Sequence, residues 1–341
     1  MVYNTTRQAL SVARVERDEL DNVVIASSDE LDGRSISSML IGTPAGAYLK
    51  DEIKVTDCGA MALPLSAARI ASGYFNLGVV ASWCKPSKTS VEEVMRKKGD
   101  PFYTRPLGVN SAIADGLFSQ AVFERWQISE DEVNERVINA YTRAQKNSRG
   151  MQWKVPTAGE LSRSPSISAP LRQGQRAPLT DGAVAMVLAS ERWLRQNPGH
   201  QSLARLSGLG WATDSYQLDR ARLSGMRSAS AAWNIALKAA GLKNGGEAQI
   251  VELECQHGYF EAALSRAFDI ERHLEINPSG GAYAQNPLFC TGLVSMAEAV
   301  LQVSNRAGPV QVKNAKRAIA HSCYGFASQG TVVATFEAPE V

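Results

Sequence analysis

The chain has 341 residues, of which 44% are hydrophobic and 21% charged, a globular composition that excludes disorder. Thirty-six basic against 34 acidic residues leave a net charge of +2, too little to attract nucleic acid by bulk charge. No apolar run reaches membrane-spanning length and the N-terminus lacks a signal-peptide core, so a cytoplasmic setting is expected. In chain order, residues 5–20 have helical spacing, with Ala9, Leu10 and Val12 on one side. VVIASS (23–28) and EIKVTD (52–57) read as strands. GAMALPLSAARIASG (59–73) is almost all small or apolar and predicts a helix buried all round, with Pro64 in its first turn or bending it. LGVVAS (77–82) is the next strand, so strand, buried helix and strand alternate as in a layered α/β sheet.

Residues 85–178 break that pattern. They carry RKK (96–98), RAQKNSRG (143–150), Arg163, Arg172, Arg176 and the prolines Pro156, Pro165, Pro170 and Pro178, and read as an inserted excursion with its own helices, one over 129–146. DGAVAMVLASE (181–191) returns to an apolar strand. A second α/β run follows: strand 204–211, helix 228–241 ending at Gly241, strand 249–254, helix 258–268, a small-residue helix 295–303 and a last strand 331–337. The halves 1–203 and 204–341 share one order of elements. Five scattered cysteines form no CxxC pair and four histidines show no ligand spacing, so neither a disulfide framework nor a metal site is expected.

Three segments, in this order, resemble the thiolase superfamily. TDCGAMALPLSAARIASG (56–73) is similar to its nucleophile turn and buried helix. DGAVAMVLASE is similar to the strand closing its N-terminal half. NPSGGAYAQNPLFCTG (277–292) is similar to its Asn-Pro-x-Gly-Gly…Gly-His-Pro-x-Gly-Ala-Thr-Gly loop. HSCYGFASQGTVVATF (321–336) resembles the closing Gly-rich loop and strand of the sterol-carrier-protein branch. The resemblance implies an α/β thiolase fold: two αβαβα halves in five layers, interrupted by the inserted region. It also implies a homodimer and an acyl-CoA substrate, with coenzyme A entering as part of the substrate and no permanently bound cofactor. On this resemblance the chain is expected to start at the first helix, without the strand and loop that usually open a thiolase.

The resemblance also locates candidate site residues. Cys58 stands near the nucleophile position, but counted back from Gly73 that position falls on Thr56 unless two residues are deleted. Cys58 therefore reads either as the nucleophile at a helix start or as a small residue packed at a tight junction. Asn286 replaces the family's His; it can donate a hydrogen bond to a thioester oxygen but cannot act as a base. Tyr283, in the same loop, and Tyr324 are candidate proton carriers. His321 and Cys323 are expected in the last Gly-rich loop, where the family has an acid/base Cys. Glu254, in ECQH (254–257), replaces the residue that helps bind the catalytic water, and His257 replaces a core aromatic. Gly280 and Gly281 permit close backbone approach and are expected either to shape the acyl pocket or to make a tight turn. The basic excursion is a candidate for the phosphates of coenzyme A.

Three functions are open on this sequence. The first is retro-aldol cleavage of a β-hydroxyacyl-CoA by tyrosine proton transfer, as in the thiolase-like steroid side-chain aldolases, which pair with a small zinc-ribbon/OB-fold subunit. The second is acyl transfer through Cys58. The third is a non-catalytic subunit of a thiolase-like complex.

Overall fold

The computed structural model describes residues 1–270 and 274–339. Strands β1 (Asn22–Ala26), β2 (Asp51–Val55) and β3 (Leu77–Cys84) belong to the first half. A small hairpin, β4 (Ser166–Ser168) and β5 (Leu171–Arg172), lies in the excursion, and β6 (Gly182–Ala189) follows it. The second half supplies β7 (Arg205–Thr213), β8 (Ile250–Leu253), β9 (Glu275–Ile276), β10 (Arg317–Tyr324) and β11 (Gly330–Glu337).

Two sheets result, one of order β2-β1-β3-β6 and one of order β7-β11-β10-β8-β9. Reversed, the first reads β6-β3-β1-β2 and matches β11-β10-β8-β9 strand for strand. The pairings match too: β3–β6 and β10–β11 are antiparallel, while β1–β3, β1–β2, β8–β10 and β8–β9 are parallel. β7 is the one strand of the second sheet with no counterpart in the first. The two sheets thus share a topology.

Side-chain alternation along the strands sets the layers. Val23 and Ile25 of β1 face a cluster with Leu10 of the first helix, Val2–Ala13. Val24 and Ala26 face a second cluster. That cluster also holds Leu63 of the helix Ala62–Ala71, Leu293 and Met296 of the helix Thr291–Val303, and Ala318 and Ala320 of β10. The two helices are therefore the central layer, gripped between the sheets. On the far side of the second sheet, Ile319 packs with the helices Arg227–Ala239 and Gly258–Ala267 and with the excursion helices Ser111–Trp126 and Glu130–Ala144. The succession is helix, sheet, helix, sheet, helix.

Three local expectations change. The first helix begins at Val2 and stops at Ala13, where Arg14 takes a left-handed conformation at φ 56°. The helix Ala62–Ala71 is not buried all round: Leu63, Pro64 and Ser66 are buried, but Ala68 and Ala71 are exposed. Pro64 sits in its first turn, where its missing N–H costs nothing. His321 and Cys323 belong to β10 rather than to a loop.

Candidate functional site

Cys58 ends the link after β2 and begins the 3-10 turn Gly59–Met61 that opens the central helix. Gly59 lets that turn press on the neighbouring loop: a Cβ there would meet Cys290 Cα at 2.8 Å and Ser82 Oγ at 2.7 Å. Cys58 is 5% exposed and lines a cavity of about 1350 Å³. Thr56, Glu254, Gln256, His257, Cys323 and Tyr324 line the same cavity. Among the described residues no helix is long and apolar enough to cross a membrane.

A polar line runs back from the sulfur. Cys58 Sγ lies 3.8 Å from Ser322 Oγ, and Ser322 Oγ donates to Glu254 Oε2 at 2.7 Å. The Cys323 N–H also donates to Glu254 Oε2, at 3.2 Å. Burial pushes the Glu254 carboxyl up to about 7, against these hydrogen bonds. Burial and the Glu254 charge push the Cys58 thiol up to about 12, outweighing the Met61 and Ala60 N–H groups that favour the thiolate. Cys58 is therefore a thiol at neutral pH, and Glu254 is poised between acid and base.

Asn286 holds the next residue along. Its Nδ2 donates to Gln256 Oε1 at 2.8 Å and to the Ala177 carbonyl at 3.3 Å, and its Oδ1 accepts from Thr291 at 2.9 Å. Both amide hydrogens are used and the side chain is fully buried, so the expected donation to a thioester oxygen is corrected. Asn286 instead fixes Gln256, whose Nε2 points to Glu254 Oε1 at 3.4 Å and which reaches the cavity.

Four further candidates stand away from the cavity. Tyr283 is 3% exposed and its hydroxyl donates to the buried Gln175 carbonyl at 2.6 Å; burial raises its pKa well above the usual tyrosine value. His321 points from the opposite face of β10 to Ser322 and sits against the rings of Phe260 and Phe268 at 6.0 and 5.8 Å. Burial drives its pKa down to about 3, so it stays neutral there. Gly280 and Gly281 form a tight turn on the helix Glu130–Ala144. Gly280 has φ 88°, and a Cβ on it would meet the Ala144 backbone at 2.5 Å. Gly280→Ala is expected to lower the unfolding free energy by about 2 kcal/mol or more in urea. Unchanged stability with lost ligand binding would return this turn to the cavity.

Tyr324 lines the cavity, and its hydroxyl pairs with Thr213 Oγ1 at 2.7 Å. The Cys323 thiol lines it too, held well above its ordinary pKa by burial and Glu254. Cys290 is a packing residue, buried within 3.8 Å of the Gly182 carbonyl. Ser322 and Gln256 also reach this site, and no motif marks either of them. Ser322 lies between two flagged residues, and reading 317–324 as a strand would have put it on the face toward Cys58. Gln256 lies inside the ECQH stretch, 254–257.

Residues 255–335 match the family described as thiolase C-terminal domain-like. The acetyl-CoA acetyltransferase of Methanothermobacter thermautotrophicus is 25% identical over 288 residues, 78% of this chain and 74% of the relative. Human mitochondrial 3-ketoacyl-CoA thiolase superposes with a TM-score of 0.79 at 16% identity, covering 99% of this chain and 92% of that one. The same human enzyme in complex with CoA superposes at 0.78 and 15% identity, covering 99% and 91%. The chain has the thiolase fold.

Proposed function

We propose that this chain acts on an acyl-CoA thioester as an acyltransferase, with Cys58 accepting the acyl group and Glu254 taking the thiol proton through Ser322. The observation that carries this reading is the line Cys58–Ser322–Glu254 at the cavity wall. As Sγ bonds to the thioester carbonyl carbon, its proton moves to Ser322 Oγ while the serine proton moves to Glu254 Oε2. The bond from carbonyl carbon to the CoA sulfur then breaks, and the departing thiolate is protonated from the carboxylic acid. The Ala60 and Met61 N–H groups, at the start of the central helix, lie within reach of the Cys58 sulfur, and N–H groups so placed suit a developing oxyanion. A carboxyl near 7 replaces a histidine as the base, because burial tunes it to neutral pH.

The name of the archaeal relative and the CoA bound to the structural neighbour support an acyl-CoA substrate, with coenzyme A arriving as part of that substrate. A cavity of about 1350 Å³ leaves room for pantetheine and an acyl chain, which weighs against a decayed, non-catalytic site. The retro-aldol reading drew on Tyr283 and Tyr324 together. Tyr283 is tied to Gln175 in the core, whereas Tyr324 is at the cavity, so the pair it needs is not gathered. Tyr283→Phe is expected to leave turnover unchanged and to cost about 1 kcal/mol of stability, because the Gln175 carbonyl loses that donor. Turnover abolished in a folded Tyr283→Phe protein, with aldehyde or ketone released from β-hydroxyacyl-CoA by the wild type, would favour retro-aldol chemistry. The direct test of acyl transfer is mass spectrometry after exposure to acyl-CoA, with the adduct expected on the peptide that contains Cys58.

A further inference from the structure

A second polar group lines the cavity and has no part in the proton line. Arg176 reaches Glu92 Oε1 at 3.4 Å and Asp115 Oδ2 at 3.2 Å. His257 is beside it: the Arg176 and His257 backbones form an antiparallel bridge. Phe118, one turn along the helix from Asp115, packs edge-on against the His257 ring at 5.9 Å. His257 is 2% exposed and lines the cavity. It caps the helix Gly258–Ala267, its Nδ1 accepting the Phe260 N–H at 3.3 Å.

That cap decides the tautomer. An imidazole accepting at Nδ1 carries its proton on Nε2, so Nε2–H is a donor. Among the described residues it has no partner. Burial and the Arg176 charge hold the imidazolium pKa down to about 3, so the ring stays neutral and cannot serve as a base. Asp115 lines the same cavity and is tied to the same Arg176; it spends Oδ2 on Arg176, and its Oδ1 accepts from no described residue.

We infer that His257 Nε2–H and the Asp115 carboxylate form a donor–acceptor pair for one hydroxyl group, so that the cavity selects hydroxylated acyl-CoA thioesters over saturated ones. A hydroxyl accepts from His257 and donates to Asp115 at once. A ketone satisfies only the imidazole. A carboxylate meets a cluster that is already net negative, Arg176 being outnumbered by Asp115 and Glu92. An alkyl chain strips water from both groups and returns nothing, and sites built around a substrate hydroxyl reject the analogue that lacks it. This inference rests on the acyl-CoA reading above.

The test is calorimetric titration of the Cys58→Ala protein, which cannot turn over, with octanoyl-CoA, its monohydroxylated forms at successive carbons, and its terminal carboxylate. At least one hydroxylated form is expected to bind about tenfold or more tighter than octanoyl-CoA, and the carboxylate more weakly. Adding His257→Phe should bring the hydroxylated and saturated affinities within about twofold while octanoyl-CoA binding persists. Equal binding of all forms before that change, or an undiminished preference after it, overturns the hydroxyl site and leaves the acyl-CoA reading standing. Binding of no thioester at all overturns both.

Discussion

Cys58→Ala is expected to abolish the covalent acyl adduct and to lower turnover by about a thousandfold or more. With the thiol at about 12, roughly one molecule in ten thousand carries a thiolate at pH 8. Attack by a preformed thiolate would be starved, so the proton must leave as the new bond forms. The proposed relay provides for this, and it separates Cys58 from Cys84 and Cys290, which are also buried but, among the described residues, have no hydroxyl–carboxyl line behind them. Ser322→Ala should accordingly slow adduct formation by about tenfold to a hundredfold without moving the adduct to another residue. The measurement is the rate of mass gain on the Cys58 peptide under single-turnover conditions. An adduct of unchanged rate in Cys58→Ala removes this residue from the chemistry.

What the sequence disclosed follows from how much each segment repeats. β1, β3, β6 and β11 are β-branched or apolar on both faces, since each is covered by a helix layer on either side, and they read directly as strands. β10 escaped because RAIAHSCY mixes small and polar residues, though seven of its eight positions are buried or line the cavity. Treated as a loop, it hid the alternation that sends Ala318, Ala320 and Ser322 to the central layer and Ile319 and His321 to the far one. β9 is two residues long and carries no pattern of its own. The resemblance to known motifs pointed to the stretches that hold Cys58, Glu254 and Cys323. It misdirected at Tyr283 and His321, because membership of a motif says nothing about which way a side chain faces, and at the two glycines the tight turn, one of the two readings left open, is what the structure shows. The base role proposed for Glu254 rests on its burial, which no motif encodes.

Glu254→Gln should separate chemistry from stability, because it affects them in opposite directions. As the proposed base, Glu254 is expected to contribute about a hundredfold to ten-thousandfold to turnover, and Gln cannot take a proton. The wild-type rate should fall below about pH 7 as the carboxylate is protonated, and that limb should be missing from the residual activity of the variant. For stability, the carboxyl titrates near 4.5 when free in the unfolded chain and near 7 in the folded protein. Between those values the folded state holds a proton that the unfolded state has released, so stability falls as pH rises. Above pH 7 the ionised, buried Glu254 costs about 3 kcal/mol relative to acid conditions. Gln keeps an oxygen for the Ser322 hydroxyl and the Cys323 N–H and carries no charge at any pH. The variant should therefore melt higher than wild type at pH 8 and close to it at pH 5. Glu252, pushed up to about 8 by burial and by Glu298, adds its own fall with pH and remains in both proteins, so only part of the slope disappears. A variant that is stabilised at pH 8 but keeps the wild-type rate and pH profile would leave Glu254 a buried carboxyl with no part in proton transfer, and would pass the role of base to another cavity group.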